Sequence, residues 1–181
     1  PTQALLDAYT ARSHLGDLAG RRIAIVGDVK HSRVARSNIE MFTALGAEVT
    51  LVAPPTLLPP DTGAWDVRVS HVLDPVLPEV DICYLLRMQS ERMTEALVPT
   101  LREYTAGFGL TSERADRLRA DALIMHPGPM NRGVEIASEV ADRPNAVITE
   151  QVANGVAVRM AVLFMLLGSG RHLAQVPEEA P

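Results

Sequence analysis

The sequence predicts an α/β fold in three layers, a mainly parallel sheet of about five strands with helices on both faces. Three observations carry this. Arg22-Ile23-Ala24-Ile25-Val26 is a β-branched apolar run, followed by a polar loop, helical spacing at Ile39, Met41, Phe42 and Leu45, and a second such run from Glu48 to Ala53. Together they make a βαβ unit of ordinary length, right-handed by default. Two further short apolar runs, Ile82 to Leu86 and Ala122 to Met125, are bounded by turn signals and read as buried strands. Finally, the run from Val152 to Leu167 is helical in length and apolar nearly all round, so it must be covered on most sides. One five-strand sheet covers only one of those sides, and the other needs a partner that this sequence does not contain.

Taken in order, Pro1-Thr2-Gln3-Ala4-Leu5-Leu6-Asp7-Ala8-Tyr9-Thr10 reads as the first turns of a helix with Ala4, Leu5, Ala8 and Tyr9 on one side. With no leading methionine, the start reads as cut off. Gly16 and Gly20 punctuate a loop before the first strand. The loop after that strand, Gly27 to Ser37, enters the helix that Gly46 ends. It is not G-x-G-x-x-G, so the unit is Rossmann-like without the dinucleotide fingerprint. Lys30, His31, Arg33 and Arg36 instead concentrate positive charge where the loop meets the helix, whose N-terminus adds its own partial positive charge. A solvated basic turn is the alternative.

Pro54-Pro55 and Pro59-Pro60 bracket a connection, and Val67-Arg68-Val69 reads as a short edge strand. Leu73 to Val80, broken by Pro75 and Pro78, reads as a short irregular helix leading into the strand from Ile82. Arg87 and Gln89 then alternate around Met88 at strand spacing, so both face one crevice; as ordinary surface residues they would need no explanation. Thr94 to Gly109 is helix-prone, and Thr111 is the hydroxyl cap of the segment after it. Ala146-Val147-Ile148 reads as a short strand, and Thr149 as the cap of a last helix from Glu150 to about Leu167, stopped by Gly168 and Gly170. The tail from Val176 reads as frayed.

The run ending at Met125 gives way abruptly to His126-Pro127-Gly128-Pro129-Met130-Asn131-Arg132-Gly133. Pro127 and Pro129 continue neither a strand ladder nor a helix, so this loop sits at the end of a core strand, where open α/β sheets bind ligands. Prolines lack N–H groups, which makes the loop stiff and leaves its carbonyls as acceptors for a ligand with N–H donors. A rigid turn that only ends the strand fits the spacing equally well.

At 181 residues the chain is one domain or a piece of a larger protein. Its 17 Lys and Arg against 22 Asp and Glu give a net charge of −5, which excludes a basic field for nucleic acid or an anionic membrane. Cys83, the only cysteine, lies in an apolar run and packs as a small hydrophobe, with no internal disulfide. The five histidines show no paired ligand spacing, so neither a metal nor another cofactor is expected. No signal peptide is visible, and Val156 to Leu167 is short for a membrane span and carries Arg159. The expectation is a soluble, cytoplasmic protein.

Pro1-Thr2-Gln3, Gly27-Asp28-Val29-Lys30-x-x-Arg33, Arg87-Met88-Gln89-x-x-Arg92 and His126-Pro127-Gly128-Pro129-x-Asn131-Arg132-Gly133-Val134-Glu135-Ile136 closely resemble aspartate carbamoyltransferases, with the four motifs in family order. The resemblance runs from residue 1 to about residue 172 and covers the carboxyl-terminal, aspartate-binding half. It implies one aspartate-binding domain over residues 1–181, with 1–16 and 150–168 as interdomain helices and the amino-terminal carbamoyl phosphate half absent. It implies that Arg33 and Arg87, with Gln89 assisting, bind the two carboxylates of L-aspartate, a role that suits the planar fork of a guanidinium. Lys30 and Arg92 are the supporting residues. The resemblance also implies that Gln3 binds the carbamoyl amide and that the carbonyls of Gly128 and Pro129 accept its N–H bonds; many relatives carry leucine where Gly128 stands. These three are the catalytic contacts that this half supplies.

The resemblance further implies formation of N-carbamoyl-L-aspartate and phosphate in pyrimidine biosynthesis, a homotrimer in the full-length form, and regulatory or fused partners in some relatives. The fragment by itself would be inactive. Competing readings are an ornithine carbamoyltransferase, expected to carry a His-Cys-Leu-Pro loop, a nucleotide-binding oxidoreductase, and a non-catalytic binding module.

Overall fold

The computed structural model describes residues 2–88 and 100–168. Five strands form the sheet: β1 (Arg22–Val26), β2 (Glu48–Val52), β3 (Val67–Ser70), β4 (Ile82–Leu85) and β5 (Leu123–Met125). Their order is β3-β2-β1-β4-β5, and every neighbouring pair is parallel. Ile23 sits opposite Val49 on one side and Ile82 on the other, so β1 is central. The order of strand addition reverses between β1 and β4, and all five carboxyl ends leave the same edge.

Strand alternation sorts the apolar residues into two cores. Ile23, Ile25, Val49, Leu51, Ile82, Tyr84, Leu123 and Met125 face a layer with Phe42 and Ile39. That layer is α1 (Thr2–Leu15) and α2 (Arg33–Ala44). Ala24, Val26, Val52, Cys83, Leu85 and Ile124 face the opposite way, against Leu73, Leu77, Leu110, Leu118 and Val140. That second layer contains the short helices α4 (Ser112–Ala115) and α5 (Ser138–Ala141), while α3 (Leu101–Phe108) sends its buried Tyr104 into the first core. The three-layer expectation therefore holds, and Cys83 is fully buried with its thiol pushed up to about 12 by desolvation.

Local chemistry explains the helix starts. The Ser32 hydroxyl accepts from the Ala35 N–H at 3.0 Å and caps α2, while Thr100 and Thr111 cap α3 and α4 in the same way. Four expectations need correction. In α1 the buried residues are Ala4, Leu6, Asp7, Ala8, Thr10 and Ala11, whereas Leu5 and Tyr9 are exposed, because α1 is sandwiched and buries polar positions as well. From Leu73 to Val80 only Leu77–Glu79 is helical, a single 3-10 turn, as Pro75 and Pro78 foretell. Ala146 makes only one bridge, to Ile124. Instead of extending a strand there, the chain turns into α6 (Ile148–Gly168), since the Val147 carbonyl already accepts from the Gln151 N–H; Thr149 lies inside the first turn rather than capping it.

α6 packs along α1 and then leaves the sheet. Val152, Val156, Met160, Leu163, Phe164, Met165, Leu166 and Leu167 are all more than half exposed. Starting at Ile148, the helix has 21 residues and is long and apolar enough by length and composition to cross a membrane, contrary to the shorter run read from the sequence.

Candidate active site

The carboxyl edge of the sheet gathers three loops. The first leaves β1. Gly27 has φ +119, and a Cβ there would stand 2.8 Å from the Tyr104 hydroxyl and 3.2 Å from the Leu86 carbonyl, so only glycine fits between this loop and the exit of β4. Asp28, fully buried, accepts the His31 N–H at 3.1 Å and holds the His31 ring through Nδ1 at 2.9 Å. His31 is thus tied to a carboxylate rather than free to add to the basic cluster. Lys30 is half-buried, with its backbone N–H on the Leu57 carbonyl, and Arg33 opens α2 beside the Ser32 cap, exposed to solvent. An exposed cation at that helix start adds to the positive end of the helix dipole, an arrangement suited to an anion.

The second loop leaves β4, where the Leu86 N–H bonds the Val26 carbonyl and Arg87 is half-buried. Gln89 and Arg92 lie outside the described residues.

The third loop leaves β5 and is held by several tertiary bonds. The His126 N–H donates to Gln151 Oε1 at 2.9 Å. The Gly128 N–H donates to His126 Nδ1 at 2.9 Å, which places the ring proton on Nε2, where it donates to Glu135 Oε1 at 3.2 Å. Glu135, itself buried, also accepts a short bond from the Asn131 N–H. Asn131 Nδ2 in turn donates to the Met88 carbonyl at 3.1 Å, tying this loop to the segment that carries Arg87. The Gly128–Pro129 peptide is cis, and Gly128 has φ +63. Every one of these bonds uses N–H groups, so the loop is held from behind while the carbonyls of Gly128 and Pro129 remain acceptors.

Gln3 belongs to the same place. It lines a cavity of about 90 Å³ with Leu6, Pro127, Gln151, Val152 and Arg159. The structure thus places Gln3 beside the Pro127 loop and brings that loop to the segment of Arg87, with the basic loop of Lys30 and Arg33 across β1. The residues that sequence reasoning missed are Asp7, Gln151 and Glu135, all buried and all holding this edge together. A faint signal existed: Asp7 lies between Leu6 and Ala8 on a helix, and Gln151 opens an apolar one.

Two wider hollows contain none of the predicted residues. One, of about 660 Å³, is lined by Asp74, Arg102, Thr105, Arg114 and Arg117 among others. Its Arg114 is consumed structurally, bonding Asp74 at 3.0 Å and the carbonyls of Ala106 and Gly109. The other, of about 700 Å³, lies between α1 and α2 and is mainly apolar. Among the described residues no group of His, Cys, Asp and Glu is arranged to hold a metal ion.

Comparison with known proteins gives one consistent result. Residues 19–166 match the aspartate/ornithine carbamoyltransferase Asp/Orn-binding domain. The chain is 63% identical over 170 residues to the aspartate carbamoyltransferase catalytic subunit of Acidothermus cellulolyticus, covering 94% of this chain and 53% of that protein. It is 58% identical over 172 residues to the corresponding subunit of Thermobifida fusca, covering 95% and 55%. Among solved structures it resembles Trypanosoma cruzi aspartate transcarbamoylase in complex with N-(phosphonacetyl)-L-aspartic acid, at a TM-score of 0.78 and 29% identity, over 91% of this chain and 55% of that one. It also resembles ornithine carbamoyltransferase of Thermus thermophilus, at 0.79 and 27%, over 92% and 55%. The chain spans about half the length of the curated relatives it matches. It belongs to the aspartate/ornithine carbamoyltransferase family, of which it carries the Asp/Orn-binding domain.

Proposed function

We propose that this chain is the aspartate-binding half of an aspartate carbamoyltransferase, which joins L-aspartate to the carbamoyl group of carbamoyl phosphate and releases phosphate, a step of pyrimidine biosynthesis. The observation that carries the reading is the carboxyl edge itself, where a basic helix start with Lys30 and Arg33, the half-buried Arg87 and a stiff carbonyl-bearing loop meet. A dianionic amino acid needs two cations, and Arg33 and Arg87 supply them, with Gln89 assisting and Lys30 and Arg92 supporting. Gln3 and the carbonyls of Gly128 and Pro129 receive the carbamoyl amide. The neutral α-amine attacks the carbamoyl carbon, a C–N bond forms, the C–O bond to phosphate breaks, and the amine proton leaves with the phosphate. Proximity and stabilisation of the developing oxyanion drive the step.

The donors to that oxyanion belong to a carbamoyl phosphate half, which docks on the exposed apolar face of α6, with residues 1–16 and 150–168 as the interdomain helices. The complete enzyme works in the cytoplasm as a homotrimer. The high identity to aspartate carbamoyltransferase subunits favours aspartate over ornithine as the amino acid. The test is formation of N-carbamoyl-aspartate by this chain alone and with a separately expressed amino-terminal half, with L-ornithine in parallel. Product from aspartate only in the mixture supports the reading; product from ornithine alone, or none from aspartate in the mixture, overturns it.

A further inference from the structure

Four elements send a donor to one carboxylate. Gln3 of α1 and Gln151 of α6 donate through Nε2 to Asp7 Oδ1 at 2.9 and 2.8 Å, while Asn38 of α2 and Tyr84 of β4 donate to Oδ2 at 3.0 and 2.6 Å. Asp7 is fully buried, and both glutamine amides reach its Oδ1 through their N–H groups, so Oδ1 is the acceptor that faces them. An isolated buried hub would need no further account. This one holds both side-chain amides that reach the small cavity beside Pro127.

A primary amide has one accepting and one donating end of nearly equal size, and whichever end is engaged from behind determines the end presented in front. We infer that Asp7 is a positioning residue that sets the polarity of the carbamoyl-amide pocket: by accepting from Nε2 of Gln3 and of Gln151, it turns both amide oxygens outward. Gln3 Oε1 is then an acceptor for the ligand, and Gln151 Oε1 accepts the His126 N–H, which anchors the loop bearing the Gly128 and Pro129 carbonyls. A carbamoyl NH2 brings donors alone, and the amide oxygen of Gln3 with the carbonyls of Gly128 and Pro129 matches it, whereas a reversed Gln3 amide would set donor against donor. The inference rests on the proposed role of Gln3, Gly128 and Pro129 as amide acceptors.

The experiment measures, in the catalytic chain completed by its carbamoyl phosphate half, dissociation constants for carbamoyl phosphate and for inorganic phosphate, which lacks the amide. The ratio of the two isolates the amide contacts from the overall integrity of the site. Asp7→Ala lowers the preference for carbamoyl phosphate by about tenfold while leaving phosphate binding close to normal. Tyr84→Phe, which removes a donor from Oδ2 and leaves both amides on Oδ1, keeps the ratio within about twofold even where it lowers Tm as far. An unchanged ratio in Asp7→Ala, or an equal fall in Tyr84→Phe, overturns the proposal and returns Asp7 to a purely structural role. If Asp7→Ala does not fold, Gln151→Leu, which releases the His126 N–H, lowers the ratio about threefold or more, and no change overturns the proposal. Gln3→Ala separates the two levels: loss of preference there supports the site, and an unchanged ratio overturns the reading of Gln3 together with the inference built on it.

Discussion

Arg87 lies between a strand that is buried on both faces and a segment tied to the Pro127 loop through Asn131, so its position is imposed by neighbours and not by its own exposure. In a chain completed by the amino-terminal half, Arg87→Ala should weaken aspartate binding about 10- to 100-fold, the worth of a charge-assisted contact, with carbamoyl phosphate binding spared. Steady-state and equilibrium binding assays check this, and unchanged aspartate kinetics would remove Arg87 from the site. Asp7 makes a different prediction. Burial raises its carboxyl above the ordinary value, and the hydrogen bonds from Tyr84, Asn38, Gln151 and Gln3 offset part of that rise. The folded state therefore binds this proton more tightly than the unfolded state. Its contribution to stability is full below the unfolded value and is lost as pH rises through the folded one. Urea unfolding of wild type and Asp7→Asn across the acidic range should show the wild type losing ground to the variant as pH increases; a pH-independent difference would contradict the raised value. Among the described residues, Tyr84 is the only other titratable group that bonds Asp7.

At the level of elements, the start of α2 links fold to site most directly. Its cap, Ser32, and its first residue, Arg33, are adjacent, so the bond that begins the helix also fixes the cation. Ser32→Ala should cost about 1 kcal/mol of stability, and it should weaken aspartate binding as well, because the turn from Asp28 to Arg33 loses one of its anchors. Thr111→Ala at the start of α4 removes a similar cap that adjoins none of the predicted ligand residues in sequence and should affect stability alone. Chemical denaturation and aspartate titration of the two variants distinguish a cap that merely holds a helix from one that also places a ligand contact. The same elements show how far the sequence could be read. The strands β1, β2, β4 and β5 are legible as short apolar runs because both faces are largely covered, whereas the edge strand β3 stays partly open. The buried face of α1 is not, since Asp7 and Thr10 are buried there while Leu5 and Tyr9 are exposed, an inversion that depends on what packs on either side.

For the molecule as a whole, the decisive feature is an apolar helix with little to cover it. Phe164 is 78% exposed and Leu167 73%, in a run of large apolar side chains along the outer half of α6. Soluble proteins rarely leave such a patch open. The isolated chain should self-associate or bind a hydrophobic dye, and addition of the amino-terminal half, or Leu163→Gln with Phe164→Gln, should reduce both. Light scattering and dye fluorescence provide the check, and a dye-silent monomer would contradict an uncovered face. The nearly all-round apolarity of this helix is evident in the residue order alone, so the need for a covering partner is legible without knowing how the helix packs.

Local order determined the elements that chain connectivity makes self-sufficient: the βαβ unit, the Thr111 cap, the stiff Pro127–Pro129 turn and the family motifs. Their signals lie within a few residues of one another, as hydrophobic period, capping hydroxyl or ring constraint. Only the tertiary structure decided that Asp7, Asn38, Tyr84 and Gln151 share one carboxylate, that His126 sits between Gly128 and Glu135, and that His31 is bound to Asp28. Asp7 and Gln151 are 144 residues apart, and no period or spacing relates them. Their meeting follows from packing α1 along α6, where a buried polar group is tolerated only if its partners arrive from elsewhere in the chain.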